Sequence, residues 1–219
     1  MASKNASTKP PRRPLAGWRP SFWRAWTAAL VLLVLLFWAA SQQRRFPFDL
    51  GLTRTLQAWN PSGRAWAQYV TNSAKPPVAL GLLALVSVAA WRIGGLRAAG
   101  IPPIAYAAVL ALDPLLKRWI ARPRPSADLV QVAGSAAGNG CPSTFALIYA
   151  ATFGAVILVA ALRMRPPRRW WIVGGGVLIL VIGGSARVVL GGHWPSDILL
   201  SYGLGALLLT GIARLLGVR

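Results

Sequence analysis

The 219 residues carry 24 Lys and Arg against 4 acidic residues, a formal net charge of +20, with 55% hydrophobic residues and a mean hydropathy of +0.52. That apolar share exceeds the roughly 45–50% of soluble domains and excludes an ordinary water-soluble globule. A lone cysteine, Cys141, excludes an internal disulfide.

Residues 1–25 are rich in Pro, Arg, Ser and Lys without periodicity, which predicts a disordered basic cytoplasmic tail. Trp18, Trp23 and Trp26 mark the expected inner interface. From residue 26 to 219 the chain reads as one all-α integral membrane domain, a six-transmembrane-helix bundle. Its predicted spans are residues 26–40, 77–91, 101–116, 144–162, 170–188 and 196–216, several of which approach the roughly 20 apolar residues that cross a bilayer. The first span is followed by "WAAS" and could pass for a cleaved signal peptide. Its basic tail is long for that role and its loss would leave five helices, so it is read as an uncleaved anchor. Residues 41–76 are too polar to cross. Trp59, Trp66 and Tyr69 among Arg54, Gln57, Arg64 and Gln68 predict short helices in the outer headgroup layer, broken at "NPSG".

Charge placement sets the expected topology. The tail (Lys4, Lys9, Arg12, Arg13, Arg19, Arg24), the second turn (Arg92, Arg97), the fourth turn (Arg163, Arg165, Arg168, Arg169) and the C-terminus (Arg214, Arg219) hold 14 of the 24 cations, which predicts N-in and C-in. Cations beside membrane spans meet anionic headgroups. The expected partners are therefore membrane lipids and no nucleic acid. High Arg, Ala and Leu with few Lys points to a bacterial inner membrane, with the site on the outer, periplasmic side; the oligomeric state is left open.

Among the outer cations, "LDPLLKRWIARPRPSAD" places Lys117, Arg118, Arg122 and Arg124 at the end of the third span, suited to capturing a phosphate. For Arg118 and Arg122, headgroup anchoring is an equal alternative. Asp113 lies four residues before Lys117, the spacing of an intrahelical ion pair; a proton relay or substitute acid is the other reading, and Asp128 is a second candidate acid. Next comes "GSAAGNGCPST", a Gly-rich run ahead of a helix start at Ser143 or Thr144, whose free N–H groups suit an anion. Tyr149 and Trp194 read as packing or interface residues, Trp194 alternatively as lining a lipid entrance, and Cys141 reads as a small apolar filler in preference to a nucleophile.

The only histidine, His193, stands in "SARVVLGGHWPSDILL" with Arg187 before it and Asp197 four residues after it. If the helix begins near His193, Asp197 and the imidazole share a face, so that the acid holds one ring nitrogen and frees the other to attack phosphorus. Arg187 offers a forked cation to phosphoryl oxygens.

These pieces resemble the type 2 phosphatidic acid phosphatase superfamily of integral membrane lipid phosphate phosphatases. Its signature has Lys, six residues, Arg-Pro; then Pro-Ser-Gly-His; then Ser-Arg, five residues, His, three residues, Asp. Lys117, Arg124 and Pro125 match the first motif, and Arg187, His193 and Asp197 match the third, with Ala186 between Ser185 and Arg187. In the second, Pro142 and Ser143 are followed by Thr144 and Phe145 where the family has Gly-His. The resemblance implies a phosphohistidine on His193, oriented by Asp197. Phosphoryl oxygens would be held by Lys117, Arg124, Arg187, the Ser143 hydroxyl and N–H groups near Thr144. It implies no metal and no cofactor.

Phe145 removes the family's general acid. That loss costs ~10²–10⁴ in rate for an alkoxide leaving group and much less for a diphosphate, whose leaving group is a stable phosphate monoester. A lipid phosphate, or preferentially a polyprenyl diphosphate, is the expected substrate. The alternative is a catalytically impaired pseudoenzyme that binds or transports a lipid phosphate. Transfer to an acceptor other than water shares the first half-reaction.

Overall fold

The computed structural model describes residues 20–60, 64–134 and 138–219, and among these every regular element is helical. The expected tail lies mostly outside the described residues, as do most of "NPSG" and the middle of the Gly-rich run. Helix α1 spans Pro20–Gln42 and starts ahead of the predicted residue 26. Two short helices follow, α2 Pro47–Ala58 and α3 Ala65–Asn72, where the polar segment suggested them. Then come α4 Val78–Gly94, α5 Leu96–Ala99 and α6 Ile101–Ile120. A long continuous helix contains α7 Thr144–Tyr149, a π-helical turn Ala150–Gly154 and α8 Ala155–Arg163. Helices α9 Arg168–Val189 and α10 Pro195–Leu215 complete the bundle.

Among the described residues, five helices are long and apolar enough to cross a membrane. The chain is a multi-pass membrane protein. Five of the six predicted spans fall on these helices; the second falls on α4, whose 17 residues, about 26 Å at 1.5 Å per residue, are somewhat short of a hydrocarbon core of about 30 Å.

The α7–α8 helix is the most buried of the five spanning helices and α1 the most peripheral. The main core joins Tyr106 and Val109 of α6, Leu147, Ile148 and Ala151 of the central helix, Val159 of α8, and Leu209 and Ala213 of α10. Close approach depends on missing side chains: a Cβ at Gly205 of α10 would collide with Ala150, and one at Gly183 of α9 with the rings of Tyr149 and Phe145. Outward faces carry large apolar residues such as Leu32, Leu35, Leu85, Leu110, Leu178 and Val181, as expected against lipid. The ends of α6 and α9 and the starts of α7 and α10 meet at one end of the bundle. There α2 and α3 pack on α9, with Ala67 of α3 buried against Ala186, Val189 and Leu190.

Candidate active site

His193 sits in the turn between α9 and α10, 2% exposed. Its Nδ1 lies 2.6 Å from the carbonyl oxygen of Gly140, and its Nε2 lies 3.1 Å from Nη1 of Arg124. A carbonyl only accepts and a guanidinium only donates. Nδ1 therefore carries the proton and Nε2 presents its lone pair on the side of Arg124. Burial first, then the charges of Arg187, Arg124 and Lys117, hold the imidazole well below its ordinary pKa, opposed by the bond to Gly140. The ring is neutral, as a nucleophile must be.

The cations arrive from three elements. Arg124, just past α6, donates to the carbonyls of Gly192 at 2.7 Å and Gly138 at 3.2 Å, and burial lowers its pKa. Arg187, at the end of α9, packs its guanidinium 5.8 Å over the Phe145 ring. Gly192 leaves it room, since a Cβ there would stand 3.0 Å from Nη2. Lys117 forms the expected ion pair with Asp113, Nζ to Oδ2 at 2.8 Å, and donates to Thr144 Oγ1. The Thr144 hydroxyl donates to the same Asp113 oxygen at 2.8 Å, so Asp113 fixes both groups.

Asp197 does not do what its spacing suggested. Helix α10 begins at Pro195, after His193, so the two residues are not on one helical face. Oδ2 of Asp197 accepts the backbone N–H of Trp194 at 2.9 Å, closing the first turn, and Oδ1 pairs with Nη1 of Arg122 at 2.6 Å. The orienting acceptor is a backbone carbonyl instead. Arg122 is likewise neither a headgroup anchor nor a phosphate ligand: it is 1% exposed and also reaches Asp49 at 3.0 Å, Ser196 Oγ at 2.7 Å and the Gln43 carbonyl at 3.2 Å. Asp49 in turn accepts from the backbone N–H of Phe46 and from both N–H and hydroxyl of Ser196. This buried cluster ties the start of α2 to the start of α10.

Ser143 is fully buried and caps α7, its Oγ accepting Ala146 N–H at 3.4 Å, while its own N–H donates to Ser201 Oγ at 2.8 Å. It supports the site from beneath, where a phosphate ligand was expected. His193, Arg124, Arg187, Lys117 and Thr144 thus converge at one end of the bundle.

The PAP2 superfamily pattern matches residues 99–219. The chain belongs to the PAP2 superfamily. No curated protein sequence matches it significantly. Its fold is similar to the crystal structure of the first transmembrane PAP2 type phosphatidylglycerolphosphate phosphatase from Bacillus subtilis. The TM-score is 0.65 at 17% identity, covering 84% of this chain and 94% of that one. That likeness is one of fold.

In this PAP2 chain the second-motif position is filled by a ring that packs and does not titrate. Phe145 is 6% exposed and lies 4.2 Å from the Tyr149 ring, centroid to centroid. Tyr149, 5% exposed, packs there as expected and also hydrogen-bonds to Ser73 at 2.6 Å. Burial pushes the Cys141 thiol up, so it stays protonated as a small filler. Asp128 is fully exposed to solvent, its carboxyl held below the usual range first by the Ser126 hydroxyl, which does not suit a proton donor. Among the described residues no three His, Cys, Asp or Glu come together as a metal-binding group.

Sequence reasoning missed Gly140, Asp49 and Ser196. One signal was present: "FPFD" and "WPSD" repeat an aromatic-Pro-X-Asp helix start, and both carboxylates end on Arg122.

Proposed function

We propose that this chain is a metal-independent lipid phosphatase of the inner membrane, N-in and C-in with six spans, whose site faces the periplasm. The observation that carries the chemistry is the His193 imidazole, its Nδ1–H given to Gly140 and its Nε2 lone pair turned toward Arg124. An incoming phosphoryl group takes over the donors of Arg124, Arg187 and Lys117, which releases Nε2. The Nε2–P bond forms as the P–O bond to the leaving group breaks, and the cations balance charge gathering on the phosphoryl oxygens. Water then attacks phosphorus, the P–N bond breaks, and inorganic phosphate leaves with His193 again neutral.

With Phe145 in place of a general acid, the leaving group departs without a proton from a second imidazole. A prenyl phosphate leaves as a stable anion and an alkoxide does not, so a polyprenyl diphosphate is the preferred substrate.

The test is phosphate release by the purified protein in detergent, with a chelator present, from a prenyl diphosphate and from phosphatidic acid. The expected result is faster release from the diphosphate and none in His193→Ala. Equal rates on the two lipids would remove the preference, and activity surviving in His193→Ala would remove the nucleophile. The Arg187–Phe145 stack favours one other reading, a pseudoenzyme that holds a lipid phosphate without cleaving it. No release from either lipid, with binding retained, would select it.

A further inference from the structure

The cleft of about 420 Å³ above Arg124 and Arg187 has a second wall that the phosphohistidine chemistry does not use, made by Gln68, Thr71 and Lys75. Gln68 and Thr71 are three apart on α3, and Lys75 follows four later in the turn beyond it, so all three look the same way. Packing of Ala67, Trp66 and Val70 against Ala186, Val189 and Leu190 fixes this wall opposite the end of α9.

Two atoms around the cleft are buried without a hydrogen-bond partner among the described residues: Oγ1 of Thr71, a residue 8% exposed, and Nε of Arg187. Buried polar atoms are nearly always paired, so orphans on a cleft wall call for a partner, such as an ion, that the protein itself does not supply. The lining also holds three cations, Lys75, Arg124 and Arg187, and no carboxylate. One phosphate monoester, at about −1.5 to −2, does not balance three cations.

We propose that Lys75, with Thr71 and Gln68, binds the second phosphate of a substrate that carries two, while the first is presented to His193. This rests on the lipid phosphatase reading and narrows it to bis-phosphorylated lipids. The second phosphate accepts from the Lys75 ammonium and the Thr71 hydroxyl. In a prenyl diphosphate it is also the leaving group, so Lys75 neutralises the charge that arrives there when the P–O bond breaks. In a phosphatidylglycerol phosphate it is the phosphodiester across the glycerol.

Binding is measured first, on the full-length protein in detergent, with methylenediphosphonate, which has no P–O–P bond to break, and with inorganic phosphate. The diphosphonate binds more tightly by about tenfold, the worth of one charge-assisted hydrogen bond, and Lys75→Gln or Thr71→Val narrows that gap. Equal affinities would remove adjacent phosphates and leave only the glycerol-spaced form, and a gap untouched in both variants would overturn the proposal. If the gap is present but no lipid is hydrolysed, the subsite stands and the catalytic reading falls. Where hydrolysis occurs, Lys75→Gln lowers kcat/KM relative to phosphatidic acid. A drop confined to the prenyl diphosphate assigns adjacent phosphates, and one confined to phosphatidylglycerol phosphate assigns glycerol-spaced ones. A loss equal on all three lipids would overturn the second-phosphate role.

Discussion

Nδ1 of His193 donates to the carbonyl oxygen of Gly140 at 2.6 Å, so a peptide group, not a carboxylate, sets the tautomer of the only histidine. A carbonyl brings no negative charge, and the charges of Arg187, Arg124 and Lys117 are left to press the imidazole toward its neutral form along with burial.

A depressed pKa gives a definite pH dependence. The catalytic base form persists below the ordinary value of 6.5, so the acidic limb of kcat/KM lies under that value. Stability follows the same linkage. Above pH 6.5 folded and unfolded chains both hold a neutral ring; as pH falls below it the unfolded chain takes up a proton that the folded one refuses, and stability is lost. A pH–rate profile with its acidic limb at or above 6.5 would contradict this geometry.

Asp197→Asn is expected to leave that limb where it is, because Asp197 touches Trp194 and Arg122 and not the imidazole. Arg187→Gln removes a nearby positive charge and moves the limb upward. Profiles of both variants decide it: a limb displaced in Asp197→Asn and fixed in Arg187→Gln would restore the carboxylate as the orienting group.

Arg122→Ala leaves Asp49 and Asp197 buried without their counter-charge. Breaking a buried pair by removing one partner costs about 3–5 kcal/mol, and here one guanidinium serves two carboxylates. The variant is expected to melt well below the parent in detergent, and Arg122→Lys to recover little, since an ammonium cannot reproduce the planar fork. A melting temperature within a degree or two of the parent would show that the cluster is dispensable.

The membrane helices were legible because the bilayer demands long apolar runs, and the Asp113–Lys117 pair was legible because i, i+4 spacing needs only one helix. Asp197 was misjudged because that argument required α10 to begin near His193, whereas Trp194-Pro195 starts it later. Arg122 looked like its neighbours in sequence. It turns inward after Ala121, which ends α6 in the left-handed region at φ 49°, a reversal that an alanine does not advertise. Gly140 could not be found from residue types at all, since the atom it contributes is a carbonyl oxygen that every residue has. Nor does sequence fold α3 over α9, the contact that brings Thr71 and Lys75 to the cleft.

Phe145→His restores a titratable ring where the structure has a packed one. The site there is already shaped: the tilted Tyr149 ring lies 4.2 Å from this one, centroid to centroid, and the Arg187 guanidinium sits 5.8 Å from its centre. An imidazole is smaller than the phenyl group, so it fits without overlap against Gly183. The nearby Arg187 charge disfavours the imidazolium, which leaves the new ring an effective acid only toward the lower part of the pH range. General-acid catalysis is worth ~10²–10⁴ where the leaving group needs a proton. Hydrolysis of phosphatidic acid is therefore expected to rise by a large factor at mildly acidic pH, and hydrolysis of a prenyl diphosphate to change little. If both substrates gain equally, the missing proton is not what separates them, and the preference must come from the binding of the second phosphate.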